Sequence, residues 1–250
     1  MGIKKKFNIQ EAKYEFPYHY IPYFKKNETP TLLRKLRWGL EYLCYQNHII
    51  DKVVSLKPNS VLDVGCGDGY LVGHLPKIIP VRVGTDLSSK AIAFAKAFHN
   101  DCTFYAQDAD NIEMKFDVVT AIEVLEHIPE SEISNIFQIL EKRTNDEGKI
   151  IISVPTIVIP PNKKHYRHYT IELFKEQLVK SETNLKIAEV EYIYSQPWWF
   201  ILIRRLLENR FFSLEINSIM RLAWKSIWNK HRIADSESGF HLVVVLEKNQ

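Results

Sequence analysis

Cysteine is scarce in this chain, and the three present, Cys44, Cys66 and Cys102, show no CxxC spacing. That argues against a disulfide framework and fits a reducing compartment. Long hydrophobic runs are missing too, since nothing approaches the roughly 20 consecutive apolar residues that span a bilayer. The opening stretch Met1 to Phe7 is basic but has no apolar h-region, and Lys6 stands where a myristoylation site wants Ser or Thr. No export signal or lipid anchor is read there, and a cytoplasmic protein is expected. Charge of one sign is equally limited, with 33 Lys and Arg against 30 Asp and Glu for a formal net charge of +3. That excess is too small to argue for nucleic acid, and no DNA partner is expected. What remains is an ordinary globular composition, 46% hydrophobic over 250 residues. It is enough for one doubly wound core with roughly 90 residues of additions.

The most informative run is Val61-Leu62-Asp63-Val64-Gly65-Cys66-Gly67-Asp68-Gly69-Tyr70-Leu71, a short apolar strand that meets three alternating glycines behind an acid. Glycines at 65, 67 and 69 make a turn without Cβ atoms, so a nucleotide cofactor can lie on bare backbone near a helix N-terminus. The spacing G-x-G-x-G differs from the G-x-G-x-x-G that grips a dinucleotide pyrophosphate. It suits a ligand whose methionyl end carries an ammonium group, with Asp63 facing that cation. Through these residues the chain resembles the class I S-adenosylmethionine (SAM) dependent methyltransferases. Two further elements support the resemblance. Val81-Arg82-Val83-Gly84-Thr85-Asp86 ends in an acid placed to reach ribose hydroxyls, followed by Leu87. In Thr103 to Ala109 the resemblance implies that Asp108 accepts from the adenine amino group and that Ala109 offers a backbone N–H.

Strand and helix patterns alternate from Ser60 to about Gln196, as a parallel sheet with crossover helices requires. Ser88 is read as the N-cap of a helix with Ala91, Ile92, Ala95 and Phe98 on its apolar side. Strands are expected at Phe116 to Ile122, Lys149 to Val154, Leu185 to Tyr194 and Phe240 to Glu247. Between them lie a helix carrying Ile133, Ile136, Phe137 and Leu140, closed off by Gly148, and a helix capped by Thr170. The resemblance implies a Rossmann-like α/β fold, a mixed seven-stranded sheet of order 3-2-1-4-5-7-6 with helices on both faces. Residues 1–57 are read as an aromatic strap and helix acting as a lid, and residues 58–250 as the SAM-binding domain. Residues 195–239 form an insert between the last two strands. The strap offers Tyr18, His19 and Tyr20 as polar-tipped aromatics that can reach a substrate. The insert carries seven Lys and Arg between Trp198 and Arg232 against Glu208 and Glu215. It is expected to cap the acceptor pocket or pair subunits of a homodimer, with a membrane-surface patch as the less favoured reading.

Ala121-Ile122-Glu123-Val124-Leu125-Glu126-His127-Ile128 begins at the carboxyl end of the fourth core strand, the ligand-binding edge of such sheets. Its E-x-x-E-H pattern resembles the metal site of ubiquinone-biosynthesis O-methyltransferases and of small-RNA 3′-terminal 2′-O-methyltransferases. The resemblance implies Glu123, Glu126, His127 and His165 as ligands of Mg²⁺ or Mn²⁺, with Fe²⁺, Co²⁺ or Zn²⁺ also tolerated. Without a metal, Glu123 lines the pocket and His127 serves as general base or hydrogen-bond partner. The loop His165-Tyr166-Arg167-His168-Tyr169-Thr170 adds Arg167 and His168 as candidates for gripping the acceptor, and His168 as a second general base. That loop and the Tyr-His-Tyr-Ile-Pro strap also resemble methyltransferases of bacterial surface-polysaccharide biosynthesis. The expected activity is metal-assisted O-methylation of a small polar acceptor, a nucleotide-activated sugar or a capsule phosphoramidate. The alternatives are ribose 2′-O-methylation of RNA, a non-catalytic partner subunit of this fold, and a membrane-surface adaptor.

Overall fold

The computed structural model describes residues 22–25, 29–32, 36–160, 162–208 and 214–249. Tyr18, His19 and Tyr20 lie outside the described residues. A two-stranded antiparallel ribbon, β1 (Pro22–Lys25) and β2 (Thr29–Leu32), leads into the long helix α1 (Leu36–Ser55). The chain then alternates through β3 (Ser60–Val64), α2 (Tyr70–His74), β4 (Val81–Thr85), α3 (Ser89–Phe98) and β5 (Thr103–Tyr105). It continues with β6 (Phe116–Ile122), α4 (Ile133–Arg143), β7 (Thr144–Pro155), α5 (Ile171–Lys180) and β8 (Leu185–Ile193). Helices α6 (Trp198–Leu207) and α7 (Asn217–Ser226), a π-helical turn at Ile227–His231, β9 (Ile233–Ala234) and β10 (His241–Lys248) complete it.

Eight strands form one sheet of order β5-β4-β3-β6-β7-β10-β8-β9. Without β9 this is the expected 3-2-1-4-5-7-6 arrangement. The two-residue β9 comes from the insert and pairs with the end of β8, an edge contact that no periodicity in so short a segment announces. Strands β3 to β7 run parallel, whereas β10 is antiparallel to both β7 and β8. That reversal places the first residue of β10, His241, opposite Pro155 at the carboxyl edge of the parallel strands.

Two apolar layers cover the sheet, and strand alternation sorts residues between them. Val243, Val245 and Ile151 face the layer built by α1, α6 and α7, while Leu242, Val244, Ile150 and Ile152 face α4 and α5. Helix α1 buries Leu40, Leu43 and Val53 completely. It is also fastened to β8, where His48 and Lys52 each lie 2.9 Å from Glu191. The expected caps form: Ser88 Oγ accepts from Ala91 N and Thr170 Oγ1 from Leu173 N. Two expectations need correction. Phe98 is 51% exposed because α3 ends there, and Gly148 lies inside β7, which starts directly after α4. Among the described residues no helix is long and apolar enough to cross a membrane.

Gly69, the N-cap of α2, has φ +81°, and a Cβ there would sit 2.9 Å from both Ala95 Cβ and the Phe104 ring. Left-handed backbone and overpacking both penalise a side chain, so Gly69→Ala should cost about 2 to 4 kcal/mol. Urea unfolding checks this, and a loss under about 0.5 kcal/mol contradicts the packing role.

Candidate active site

The carboxyl edge of the sheet opens into a cavity of about 500 Å³. On one side stands the glycine loop. Gly65 N and Cys66 N donate to Thr85 O at 2.8 and 3.0 Å, which ties the loop to the end of β4. Asp86 Oδ2 accepts from Gly67 N at 3.0 Å and Oδ1 from Ser88 N at 2.8 Å, so its carboxylate is aimed by backbone donors at the cavity it lines. Asp63 is 4% exposed and accepts from Thr120 Oγ1 at 2.6 Å. Burial pushes its carboxyl up to about 7, the nearby charge of Asp86 adding to the effect. Leu87, Asp108 and Ala109 line the far wall, where Asp108 Oδ1 caps the next turn by accepting from Asp110 N at 2.8 Å. Gly69, expected with Gly65 and Gly67 at the cofactor, lies just outside the lining. It packs against α3 and β5 instead.

Opposite the loop, one ligand atom each from Glu126, His127 and His165 comes within 4.8 Å of the others. Glu126 is 1% exposed, and its Oε2 has no hydrogen-bond partner. Burial and the charge of Glu123 drive its carboxyl well above the usual carboxylate range. A buried carboxylate oxygen without a donor, flanked by two imidazoles, is a donor set that fits a divalent cation.

His165 is oriented by a chain of hydrogen bonds. His168 Nδ1 faces two carbonyls, Thr156 O at 3.2 Å and Ile159 O at 3.0 Å, so it carries the proton. Its Nε2 is then the acceptor for His165 Nδ1 at 2.8 Å, which leaves His165 Nε2 as the basic atom, facing Asn162 Nδ2. This corrects the reading of His168 as general base or acceptor contact, because it is buried with both ring nitrogens engaged. Arg167 is corrected likewise. Its guanidinium donates to Leu125 O at 3.1 Å and Ile128 O at 2.8 Å and pairs with Glu130 at 3.1 Å, clamping the turn that presents Glu126 and His127.

Glu123 does not join the three. It stands at φ +56°, a left-handed conformation costing a non-glycine residue about 1 kcal/mol. Its Oε1 accepts from Ser153 Oγ at 3.0 Å and His241 Nδ1 at 3.1 Å. His241 is 3% exposed, packs against Tyr45 with the rings tilted and their centroids 4.3 Å apart, and has Glu41 3.3 Å from its Nε2. Burial alone would lower the His241 pKa, but the flanking glutamates outweigh it and push it up to about 10. Burial alone would raise the Glu123 carboxyl, and the His241 charge instead holds it below the ordinary range. His241, Glu41 and Ser153 escape sequence reasoning. The available signal was a histidine heading an otherwise apolar final strand, which antiparallel pairing must bring to the functional edge.

Helix α1 forms the remaining wall with Trp38, Glu41, Tyr42 and Tyr45. Among the described residues, none of the insert 195–239, expected as a cap, lines this cavity.

A sheet of this order, with a glycine loop after its first strand and acids at the ends of the next two, defines the Rossmann-like SAM-dependent methyltransferases. A family model described as a methyltransferase domain matches residues 39–220, and the chain belongs to that family. The ubiquinone biosynthesis O-methyltransferase of Coxiella burnetii (strain Dugway 5J108-111) is 33% identical over 90 residues, covering 33% of this chain and 38% of the relative. The chain thus spans well under half the length of that curated relative. Among solved structures, a SAM-dependent methyltransferase from Clostridium acetobutylicum ATCC 824 superposes with a TM-score of 0.57 at 14% identity, covering 86% of this chain and 95% of that one. Magnesium protoporphyrin IX methyltransferase from Synechocystis PCC 6803 with bound SAH (S-adenosylhomocysteine) gives 0.56 at 16%, covering 86% and 89%. At these identities the structural likeness concerns the fold.

The His241 arrangement predicts a pH dependence of stability. A group whose folded pKa, about 10, exceeds its ordinary value of 6.5 contributes stability fully below pH 6.5 and loses it as pH rises toward 10. The wild type should therefore lose stability relative to His241→Gln across that window. Parallel urea melts of the two proteins from neutral to alkaline pH check this, and curves that stay a constant distance apart contradict it.

Proposed function

We propose that this chain is an O-methyltransferase that transfers the SAM methyl group to a small polar acceptor carrying two neighbouring oxygens, assisted by a divalent cation at Glu126, His127 and His165. The observation that carries the reading is that one cavity holds both the glycine loop and the only group of three potential metal-ligating side chains found among the described residues.

On the cofactor side, Asp86 would accept both ribose hydroxyls with the lone pairs its backbone partners leave over. Asp63 would face the ammonium of the methionyl end, whose charge offsets the cost of ionising a buried carboxyl. Asp108 and Ala109 would frame the adenine. On the acceptor side, a bound divalent ion supplies Lewis acidity, lowering the pKa of an acceptor hydroxyl. Methyl transfer is an in-line displacement, so alignment is the protein's main task. The Arg167 clamp and the His168 bond to His165 fix the two sides of the acceptor edge. Glu123, held as a carboxylate by His241 and Ser153, is placed in the cavity wall to take a hydrogen bond from the acceptor.

O-methyl transfer draws on the likeness to the ubiquinone biosynthesis O-methyltransferases. Nucleotide-activated sugars and phosphoramidates head the acceptor classes because Lys164, in the same wall, supplies positive charge for a phosphoryl group. Catechols and vicinal diols match the two-oxygen requirement. RNA ranks behind them, and its binding would fall steeply with salt.

Two measurements test the reading. Asp86→Ala should weaken SAH binding by about 10-fold to 100-fold in calorimetry, because ribose hydroxyls lose a charged acceptor in a closed site. Unchanged affinity in a folded variant contradicts the cofactor assignment. Labelled-SAM assays over the acceptor classes should show turnover abolished by chelator and restored by Mg²⁺ or Mn²⁺, and reduced about 100-fold in Glu126→Gln. Turnover that survives exhaustive chelation removes the metal from the proposal.

A further inference from the structure

The described residues of the insert include an apolar face that is exposed. Helix α6 buries Phe200 and Leu207 against the core, yet Trp198 is 75% exposed, Leu202 52% and Leu206 74%. These positions recur at i, i+4 and i+8, so they share one stripe, and exposed Arg205 lies on the same side at i+7. Leu214 N donates to Leu207 O at 2.7 Å, which brings the start of α7 to the end of α6. Helix α7 repeats the pattern. Met220 and Ala223 are buried, while Arg221, Leu222 (69% exposed) and Lys225 face outward. Among the described residues Arg205, Lys225 and Lys230 have no carboxylate partner.

We propose that this face is an interfacial anchor for an anionic lipid surface, seating Trp198, Leu202 and Leu206 at the level of the headgroups with Arg205 on the same stripe and Lys225 contributed by α7. Both parts of the pattern point there. Exposed leucines and a tryptophan on a helix rich in arginine are what an in-plane amphipathic helix uses, and basic residues near such a surface add attraction to acidic headgroups. A second copy of the chain is the poorer occupant. A two-fold interface brings each patch against its own image, so these basic side chains would meet like charges as the leucines became buried. The cavity is not an alternative cover either, since none of these residues lines it.

The test is sedimentation of the full chain with vesicles of equimolar phosphatidylcholine and phosphatidylglycerol, against pure phosphatidylcholine. Partition should favour the anionic vesicles at low salt and weaken as salt is raised. Arg205→Glu with Lys225→Glu should lower the partition coefficient about 10-fold or more. Leu202→Ser with Leu206→Ser should do the same, and because both positions are solvent-exposed, SAH binding should be unchanged as a control on folding. Equal partition into the two vesicle types, or partition that neither double variant alters, overturns the proposal. So does a wild-type dimer in velocity ultracentrifugation that the leucine variant dissociates, because the face is then covered by a second copy.

Discussion

Two carboxylates three residues apart, Glu123 and Glu126, line the cavity at the carboxyl edge of the sheet, one about one-fifth exposed and the other almost sealed from water. Burying a carboxylate without a partner is costly, and mutual repulsion adds to the cost. The surrounding architecture is organised by how each is neutralised. Glu123 is met by His241, an imidazole held positive between two glutamates, and by the Ser153 hydroxyl. Glu126 has the His127 imidazole 3.5 Å from its Oε1. It keeps an unpartnered oxygen next to two imidazoles, and its carboxyl is pushed far up. The difference between the two environments separates a carboxylate fixed by the fold from one available to a ligand.

The acid-bearing turn and the glycine loop are mechanically joined. A Cβ on Gly65 would sit 2.6 Å from Val124, so the loop expected to carry the cofactor packs directly on the residue between the two glutamates' backbone anchors. Bare backbone at Gly65 therefore serves packing between the two halves of the site as well as ligand approach. Antiparallel β10 completes the arrangement. Its direction delivers His241 to an edge that a parallel seventh strand would have left to a loop, and α1 adds Glu41 and Tyr45 from the other side.

The sheet order was legible only through the family resemblance, whereas most strand limits and the caps at Ser88 and Thr170 depend on local periodicity and on side chains that bond within three residues. The Glu126, His127 and His165 gathering was legible from the resemblance carried by E-x-x-E-H, since the turn places two of its members by itself. Other features required three dimensions. Arg167 and His168 stand in the expected loop, but what they touch depends on carbonyls at 125, 128, 156 and 159, and nothing in local spacing reports a carbonyl's direction. Glu123 was drawn away from the expected ligand set by a histidine 118 positions later, a pairing set by strand direction. The insert was legible as basic and aromatic. Which of its faces stays exposed was not, because α6 is apolar around much of its circumference.

Glu126, His127 and His165 are proposed to hold a divalent cation, and Mn²⁺ binding followed by electron paramagnetic resonance tests this most directly, without any acceptor. Titrating the free-ion signal against the apoprotein should reveal a single site, absent from Glu126→Gln and preserved in Arg205→Glu. Protein that leaves the Mn²⁺ signal undiminished, or a Glu126→Gln variant that quenches it as fully as the wild type, would contradict the claim.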